Sequence, residues 1–483
     1  MESKAGARIN KKAFTQSILI LAVLMLVAGI LTQTIPAGQY QRLIVDGREV
    51  IDPASFTLID RPDYPAWRWL TAPFEVLAGP DGLVLIVIIV FILLVGASFA
   101  VLEKSGILNA ALSGLVSKFG SRKYLLLLII SFFFMLMGAF FGIFEEIVPL
   151  VPLMIALAYY LGWDALIGLG MSILATNMGF SAALTNPFTI GVAQKLAGLP
   201  AFSGFAFRIP IFLVVYIALA WFLVSYAKKI DRNPESSLTY ETDQAERTKY
   251  KQFDLQSMQG KGKKLTGATI WFLCFVVLII LTLIGSPFIP FLSEYALPLV
   301  GVFFFLGGLG AGILAGTRGK ALGKALLEGV TGIAPGIPLI MMAGSIKFIV
   351  TTGGVMDTIL HGASQPLSTA SPMFAVMIIY VLALFIELFI GSAGAKAVLM
   401  MPILLPLADL VGVTRQVTVL AYCFGDGFSN MAYPTNPVLL ISLGLAAISY
   451  GKWIKWTLKL WLIVIPISIF FLWLSVLIGY GPF

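Results

Sequence analysis

Cysteine, histidine and charge are all scarce in this chain. Two cysteines, Cys274 and Cys423, occur among 483 residues, each inside an apolar run and neither with a C-x-x-C partner. A disulfide framework or a thiolate zinc site is therefore not expected. His361 is the only histidine. There is no H-E-x-x-H pair, and no second aspartate motif to partner Gly425-Asp426-Gly427, which argues against an intramembrane enzyme. No phosphate-binding P-loop pattern occurs, which argues against an ATP-driven pump. Only 12% of residues are charged, whereas 59% are hydrophobic and mean hydropathy is +0.96. No water-soluble fold hides that much apolar surface, so the solvent must be mostly lipid. The net charge of +8 comes from Lys and Arg clustered between apolar runs. That is the pattern of loops held in the cytoplasm, not of a nucleic-acid surface. The first apolar run, Phe14 to Ile35, lacks a small-residue cleavage site and is long enough to span, so it reads as a retained helix.

Long apolar runs are what the chain has in excess, and two of them are interrupted alike. Thr185-Asn186-Pro187 and Thr435-Asn436-Pro437 lie at an offset of 250 residues. The same offset pairs Pro152 with Pro402, Gly162 with Gly412, Val148 with Val398, and Leu157-Ala158 with Leu407-Ala408. A gapless register of this kind marks an internal repeat. Proline lacks an amide donor and clashes with the preceding turn, so each helix should break there. Lipid tolerates a broken helix only where the bared backbone faces protein or a water-filled cavity. Matched breaks in two halves point to the binding site of a secondary transporter.

The predicted fold is an all-α polytopic membrane protein. Residues 1–227 form a first half, with a re-entrant helical hairpin at 123–160 and a broken helix at 164–196. A polar linker, 228–264, carries nine Lys/Arg against six Asp/Glu and reads as a partly disordered cytoplasmic connector. Residues 265–483 form the second half, with a hairpin at 372–410 and a broken helix at 415–448. Further spans are expected at 83–102, 209–226, 270–284, 297–315, 332–350 and 460–478. Lys4, Arg8, Lys11 and Lys12 place the N-terminus inside. Lys104, Lys118, Arg122 and Lys123, then Arg318, Lys320 and Lys324, then Lys452, Lys455 and Lys459 mark the same side, which leaves the C-terminus outside. The hairpins then dip from opposite faces, making the two repeats inverted. The segment from about 40 to 81 is an outside loop with an interfacial Trp67-Arg68-Trp69, and His361 falls in a solvated loop.

A broken helix bares amide donors at one half-helix start and carbonyls at the other half-helix end. The donors suit a carboxylate and the carbonyls a cation. Asn186 and Asn436 offer both donor and acceptor, and Thr185 and Thr435 offer hydroxyls. Glu145 and Glu146 sit at the first hairpin tip, and Lys396 is the repeat-mate of Glu146. Charge at that depth costs several kcal/mol, on the order of 3, so it has a task. The glutamates are read as holding a coupling cation, a proton, or the amine of a substrate. Lys396 is read as pairing a substrate carboxylate, standing in for a coupling ion, or bridging to the opposite tip. Asp426, between two glycines, is either a site residue or a buried carboxylate satisfied by hydroxyls. Asn177 and Asn430 are further polar contacts, and Glu387 is structural or proton-linked. Gly307-Gly308 and the glycines from Gly310 to Gly316 read as close helix packing and a dimer seam.

Ser392-Ala-Gly-Ala-Lys396-Ala-Val-Leu-Met-Met-Pro402, with Phe424-Gly-Asp-Gly-Phe-Ser-Asn430 and Pro434-Thr-Asn-Pro437, resembles the YfcC-like branch of the anaerobic C4-dicarboxylate carrier (DcuC) family. Phe144-Glu-Glu-Ile-Val-Pro-Leu-Val-Pro152 and Thr185-Asn-Pro-Phe188 resemble it too. That resemblance implies a homodimer in the inner membrane, moving an elevator-like transport domain made of the hairpins and broken helices. It implies no cofactor beyond a coupling Na+ or H+. Sodium-coupled members of the wider superfamily carry Ser-Asn-Thr at each hairpin tip. Here the corresponding triplets are Gly142-Ile-Phe144 and Ser392-Ala-Gly394, so only Ser392 matches. The candidate substrate site, read from the breaks and the tip residues, is Thr185, Asn186, Pro187, Ser392, Gly394, Lys396, Glu145, Glu146, Asp426, Thr435, Asn436 and Pro437. A coupling ion would use Glu146, Asn177, Asn186, Ser392 and Asn436. The implied cargo is a small carboxylate-bearing metabolite, a C4-dicarboxylate or an amino acid, with arginine–ornithine exchange the alternative. A channel is the remote alternative.

Overall fold

The computed structural model describes residues 11–45, 48–52, 54–107, 120–244, 262–285 and 289–481. Among them, ten helices are long and apolar enough to cross a bilayer. Lys4, Arg8, Lys118 and residues 245–261 of the linker lie outside the described residues.

The first described helix is α1 (Lys11–Thr34). The segment after it is more ordered than a polar loop. Two short antiparallel pairs form there: β1 (Gly38–Gln39) with β4 (Thr57–Leu58), and β2 (Arg42–Val45) with β3 (Arg48–Ile51). A short helix α2 (Arg68–Glu75) follows, carrying the Trp-Arg-Trp pattern at its start. Arg68 reaches Glu75 and also lies over the Tyr64 ring, 5.0 Å from its centroid. The hydrogen bond from Arg68 holds the Glu75 carboxyl below its ordinary range.

Next come α3 (Gly82–Ser105), α4 (Lys123–Phe141), a 3-10 turn Glu145–Leu150 and α5 (Val151–Tyr160). The first interrupted rod is α6 (Ala165–Leu169), a π turn Gly170–Leu174 and α7 (Ala175–Ala182). After the break it resumes as a second π turn, Pro187–Gly191, and α8 (Val192–Leu196). α9 (Phe205–Arg232) ends the first half. The second half runs α10 (Gly262–Gly285), α11 (Pro290–Leu314), α12 (Gly319–Ile333), α13 (Gly336–Thr352) and α14 (Met356–Ser364). It continues with α15 (Pro372–Ile386), α16 (Ala393–Leu410), α17 (Arg415–Ser429), α18 (Pro437–Leu445) and α19 (Tyr450–Leu477). The span expected at 332–350 is α13; α12, which carries Lys320, Lys324 and Glu328, leads into it across a single turn at Ala334-Pro335.

Local chemistry recurs at the offset read from the sequence. α5 closes with Gly162 in the left-handed region; the Trp163 amide donates to the Ala158 carbonyl at 2.8 Å and Gly162 to Tyr159 at 3.1 Å. α16 closes identically, with Val413 to Ala408 at 2.9 Å and Gly412 to Asp409 at 3.2 Å. Both are C-terminal caps in which glycine supplies the positive φ. Each following rod then starts on a side-chain cap, Asp164 for Ile167 and Thr414 for Val417.

Glycine also sets the spacing inside the bundle. A Cβ at Gly179 would collide with the Met135 carbonyl, and one at Gly138 with that of Thr176, so α4 and α7 are in backbone contact. The glycines of α11 fill two faces at once: Gly307 and Gly310 admit Phe275 and Trp271 of α10, while Gly308 and Gly312 admit Ser98 and Val101 of α3. The expected close packing is thus within the chain, and at Gly307, Gly308, Gly310 and Gly312 the chain's own helices stand where a dimer seam was expected.

Two further expectations change. His361 is not in a solvated loop; it lies on α14, stacked on Phe56 at 3.9 Å and hydrogen-bonded to Tyr40 at 2.8 Å. Burial, then the Asp357 charge, pushes the Tyr40 hydroxyl up to about 12, so Tyr40 stays a neutral partner. The first part of the linker is also ordered, because residues 234–244 fold back onto the start of α6. There Asp164 accepts from Tyr226 and Ser237 at 2.7 Å each, and Asp243 accepts from Thr239 at 2.6 Å and Tyr159 at 2.8 Å. Burial, then the charge of Asp164, pushes the Asp243 carboxyl up to about 6. The protonated form is the one the fold prefers. Its contribution is complete below the ordinary value of 3.8 and is lost as pH rises through 6. Apparent Tm should therefore fall between pH about 4 and about 6 and level off above that, and Asp243→Asn should flatten that fall. A variant with the wild-type slope would assign the dependence to another group.

Candidate substrate site at the helix breaks

At each break the asparagine is the N-cap of the resumed helix, and proline follows at the first helical position. Proline there sacrifices no needed donor, and its fixed φ suits a helix start. Asn186 Oδ1 accepts from the Phe188 amide at 2.9 Å and the Thr189 amide at 3.4 Å. Asn436 Oδ1 accepts from Val438 at 2.9 Å and Leu439 at 3.3 Å. The other end of each amide differs. Asn436 Nδ2 donates to the Asn430 carbonyl at 2.9 Å, so the second break satisfies itself. Asn186 Nδ2 is buried with no acceptor, as is Thr189 Oγ1. Asn177, on α7 before the same break, is fully buried with neither amide atom bonded. A buried polar atom left unpaired costs about 1–3 kcal/mol. The donor and acceptor capacity for a polar ligand therefore concentrates at the first break.

The segments expected as hairpin tips, after α4 and before α16, converge on that break. Gly142 follows α4 with φ of 66°, and a Cβ there would collide with Asn186 Oδ1, so only glycine lets the tip touch the break. Thr185 is tied to the end of α4: its amide donates to Ala139 at 3.1 Å and its hydroxyl to Phe140 at 3.1 Å. From the second half, α16 packs on α8 and on the turn 187–191. Gly394 faces the Phe188 carbonyl, which a Cβ would meet at 3.7 Å. Ser392 caps α16 through the Ala395 amide at 3.5 Å and is exposed, beside an exposed Phe188. Reciprocally, the turn 145–150 packs on α18, after the second break. Glu145 and Glu146 are half-buried there. Glu146 accepts from the Phe144 amide at 3.1 Å, and neither has a cationic partner among the described residues. Thr435 and Pro437 flank Asn436; Thr435 is buried and Pro437 half-buried.

Lys396 does not bridge to the first tip. It is fully buried against Asp426 at 2.7 Å and against Glu387. The reason is geometric: it lies in the first turn of α16, between the end of α15, which carries Glu387, and α17, which carries Asp426. Asp426 is thus held by an ammonium and not, as the alternative had it, by hydroxyls.

Sequence reasoning missed Arg208. It is fully buried and has no carboxylate partner among the described residues. It donates instead to the carbonyls of Leu184 at 3.0 Å, Phe202 at 3.0 Å and Ser203 at 2.8 Å, and to the Tyr480 hydroxyl at 3.0 Å. Leu184 precedes the first Thr-Asn-Pro, so this guanidinium covers the carbonyl end of that break. Nearby, Gln194 donates to Gln416 at 3.1 Å, linking the two broken rods directly.

Apolar spans, two capped breaks and interlocking tips define a multi-pass membrane protein of the transporter class. The chain belongs to the C4-dicarboxylate anaerobic carrier family, DcuC, which it matches over residues 14–477. Within it the chain is YfcC-like. It is 29% identical over 485 residues to the "Putative basic amino acid antiporter YfcC" of Escherichia coli K12, covering 92% of each protein. An uncharacterized protein of Haemophilus influenzae is 27% identical over 376 residues, covering 77% of this chain and 72% of that one. Among solved structures, the Alcanivorax borkumensis YdaH transporter is 18% identical with a TM-score of 0.46, covering 97% of this chain and 100% of its own. Neisseria gonorrhoeae MtrF is 20% identical with a TM-score of 0.42, covering 94% of this chain and 93% of its own.

Proposed function

We propose that this protein is a secondary active transporter that carries an amino acid with a basic side chain across the cytoplasmic membrane, by exchange or with a coupling H+ or Na+. One observation carries the choice of cargo. Glu145 and Glu146 form a carboxylate pair without a cation among the described residues, while Lys396, the nearest candidate counter-charge in sequence register, is held by Glu387 and Asp426. An amine or guanidinium is the ligand that such a pair favours, and a dianion is the one it repels. The substrate carboxylate would take the free Asn186 amide donor at the first break. The printed name of the Escherichia coli relative agrees with a basic amino acid.

The recurring caps support a repeat, the placement of Lys and Arg supports its inversion, and the interlocked tips support an elevator-type movement of hairpins and breaks against the remaining spans. The homodimer, the inner-membrane location and the inside N-terminus belong to the same reading. The family's name favours a C4-dicarboxylate as the second reading. Counterflow in sealed proteoliposomes separates the two. Labelled arginine should accumulate against internal arginine or lysine and not against internal succinate, with and without sodium. Succinate-driven counterflow that ignores basic amino acids would reverse the assignment. Flux without counterflow would indicate a channel.

A further inference from the structure

We propose that the groove between α9 and α19 is a binding site for one anionic phospholipid, with its phosphodiester held by Lys229, Lys455 and Lys459. A cavity of about 310 Å³ opens there, away from the breaks and tips. Each wall is one stripe of a helix. On α9 the stripe runs Lys229, Ser225, Trp221; on α19 it runs Lys455, Lys459, Ile463. Steps of four residues keep each stripe on one helical face.

The basic end of α9 is its C-terminal end and that of α19 its N-terminal end, so in this antiparallel pair the three ammonium groups meet at one mouth. No carboxylate lines the cavity, and none of the three lysines has an ion-pair partner among the described residues. Eight residues of helix advance about 12 Å. Over that depth both walls change from charged to apolar, ending on Trp221 and Ile463. A phosphate ion would need only the mouth. A phospholipid needs the mouth for its headgroup and the apolar depth for its first acyl carbons, which is the gradient present.

A second, independent observation is Trp456 on the inner wall. It is 2% exposed, and its indole N–H is buried without an acceptor. Phe222 and Tyr226 pack on its ring, at 4.7 and 5.5 Å between centroids. A headgroup or ester oxygen in the cavity would give that donor its bond. Basic pockets between membrane helices are suited to anionic headgroups, each cation near the surface adding roughly fivefold in affinity.

The test uses the full-length protein in neutral detergent. Thermal unfolding is followed with mixed micelles of phosphatidylglycerol, with phosphatidylcholine, and with soluble glycerol phosphate. Phosphatidylglycerol should raise Tm by mass action, and the other two should not. Lys229→Gln, Lys455→Gln and Lys459→Gln should each weaken the lipid effect by roughly fivefold, and together remove it. Ser225→Trp, which fills the groove while leaving the charge, should also remove it. Lys320→Gln, on α12, should leave it intact. Equal stabilisation by phosphatidylcholine, or a full phosphatidylglycerol effect in the triple or the filled variant, would overturn the site. Stabilisation by glycerol phosphate alone would make it a phosphate pocket and overturn the lipid. The readout needs no transport, so it stands apart from the choice of cargo.

Discussion

Asn186→Ser is expected to lose transport while the protein stays folded. Serine keeps a cap oxygen for the Phe188 and Thr189 amides, so stability should change by less than about 1 kcal/mol. What it removes is the amide donor at Nδ2, which has no partner within the fold. If that donor meets the substrate carboxylate, its loss is worth about 1.5–3 kcal/mol, or roughly ten- to a hundredfold in apparent affinity. Asn186→Ala should remove transport altogether and also lose the cap. Asn436→Ala is expected to abolish transport by another route, because it unties the second break from Asn430. The measurement is uptake into proteoliposomes beside thermal unfolding of the same preparations. Wild-type uptake by Asn186→Ser would show that the free amide is idle, and the site would have to be sought elsewhere.

Lys396→Met should cost more stability than any other single change considered. It strands Glu387 and Asp426, both fully buried, without a counter-charge. Removing one partner from a buried ion pair costs about 3–5 kcal/mol, out of a total that is typically 5–15. Little monodisperse protein is expected. Neutralising the whole cluster, Lys396→Met with Glu387→Gln and Asp426→Asn, should recover much of the fold. Transport by that triple variant then decides what the cluster is for: activity would make it a packing device, whereas inactivity in a folded protein would give it a part in the cycle. A single Lys396→Met variant as stable as the wild type would contradict the burial of this cluster.

How much of this could be read beforehand depends on how local the chemistry is. The two breaks and the paired Gly162 and Gly412 follow from residues within one turn of each other, and those positions are legible in the sequence itself. The ordered pair β2–β3 was also within reach, since Asp46-Gly47 between the short β-branched runs Ile44-Val45 and Val50-Ile51 is a hairpin signal. The partner of Lys396 was not. Glu387 lies on a different helix, and helix direction alone made the opposite tip an equal candidate. Arg208 left a fainter trace. In the expected topology it is a cation at the outer end of a span, against the positive-inside bias. A lone arginine on that side has a reason to be there, and here the reason is a set of carbonyls rather than an acid. The linker clamp was hidden because Asp164 and Asp243 look like an ordinary helix cap and an ordinary polar loop until the fold brings them together.

The Tyr480 hydroxyl that Arg208 grips lies 272 residues further along the chain. A nascent polypeptide that has emerged only as far as α9 would hold Leu184 with that guanidinium one bond short. Full hydrogen bonding of Arg208 in the cell must therefore wait for translation of nearly all of the second half. A ribosome stalled between the two halves should display a membrane-inserted but ligand-blind intermediate.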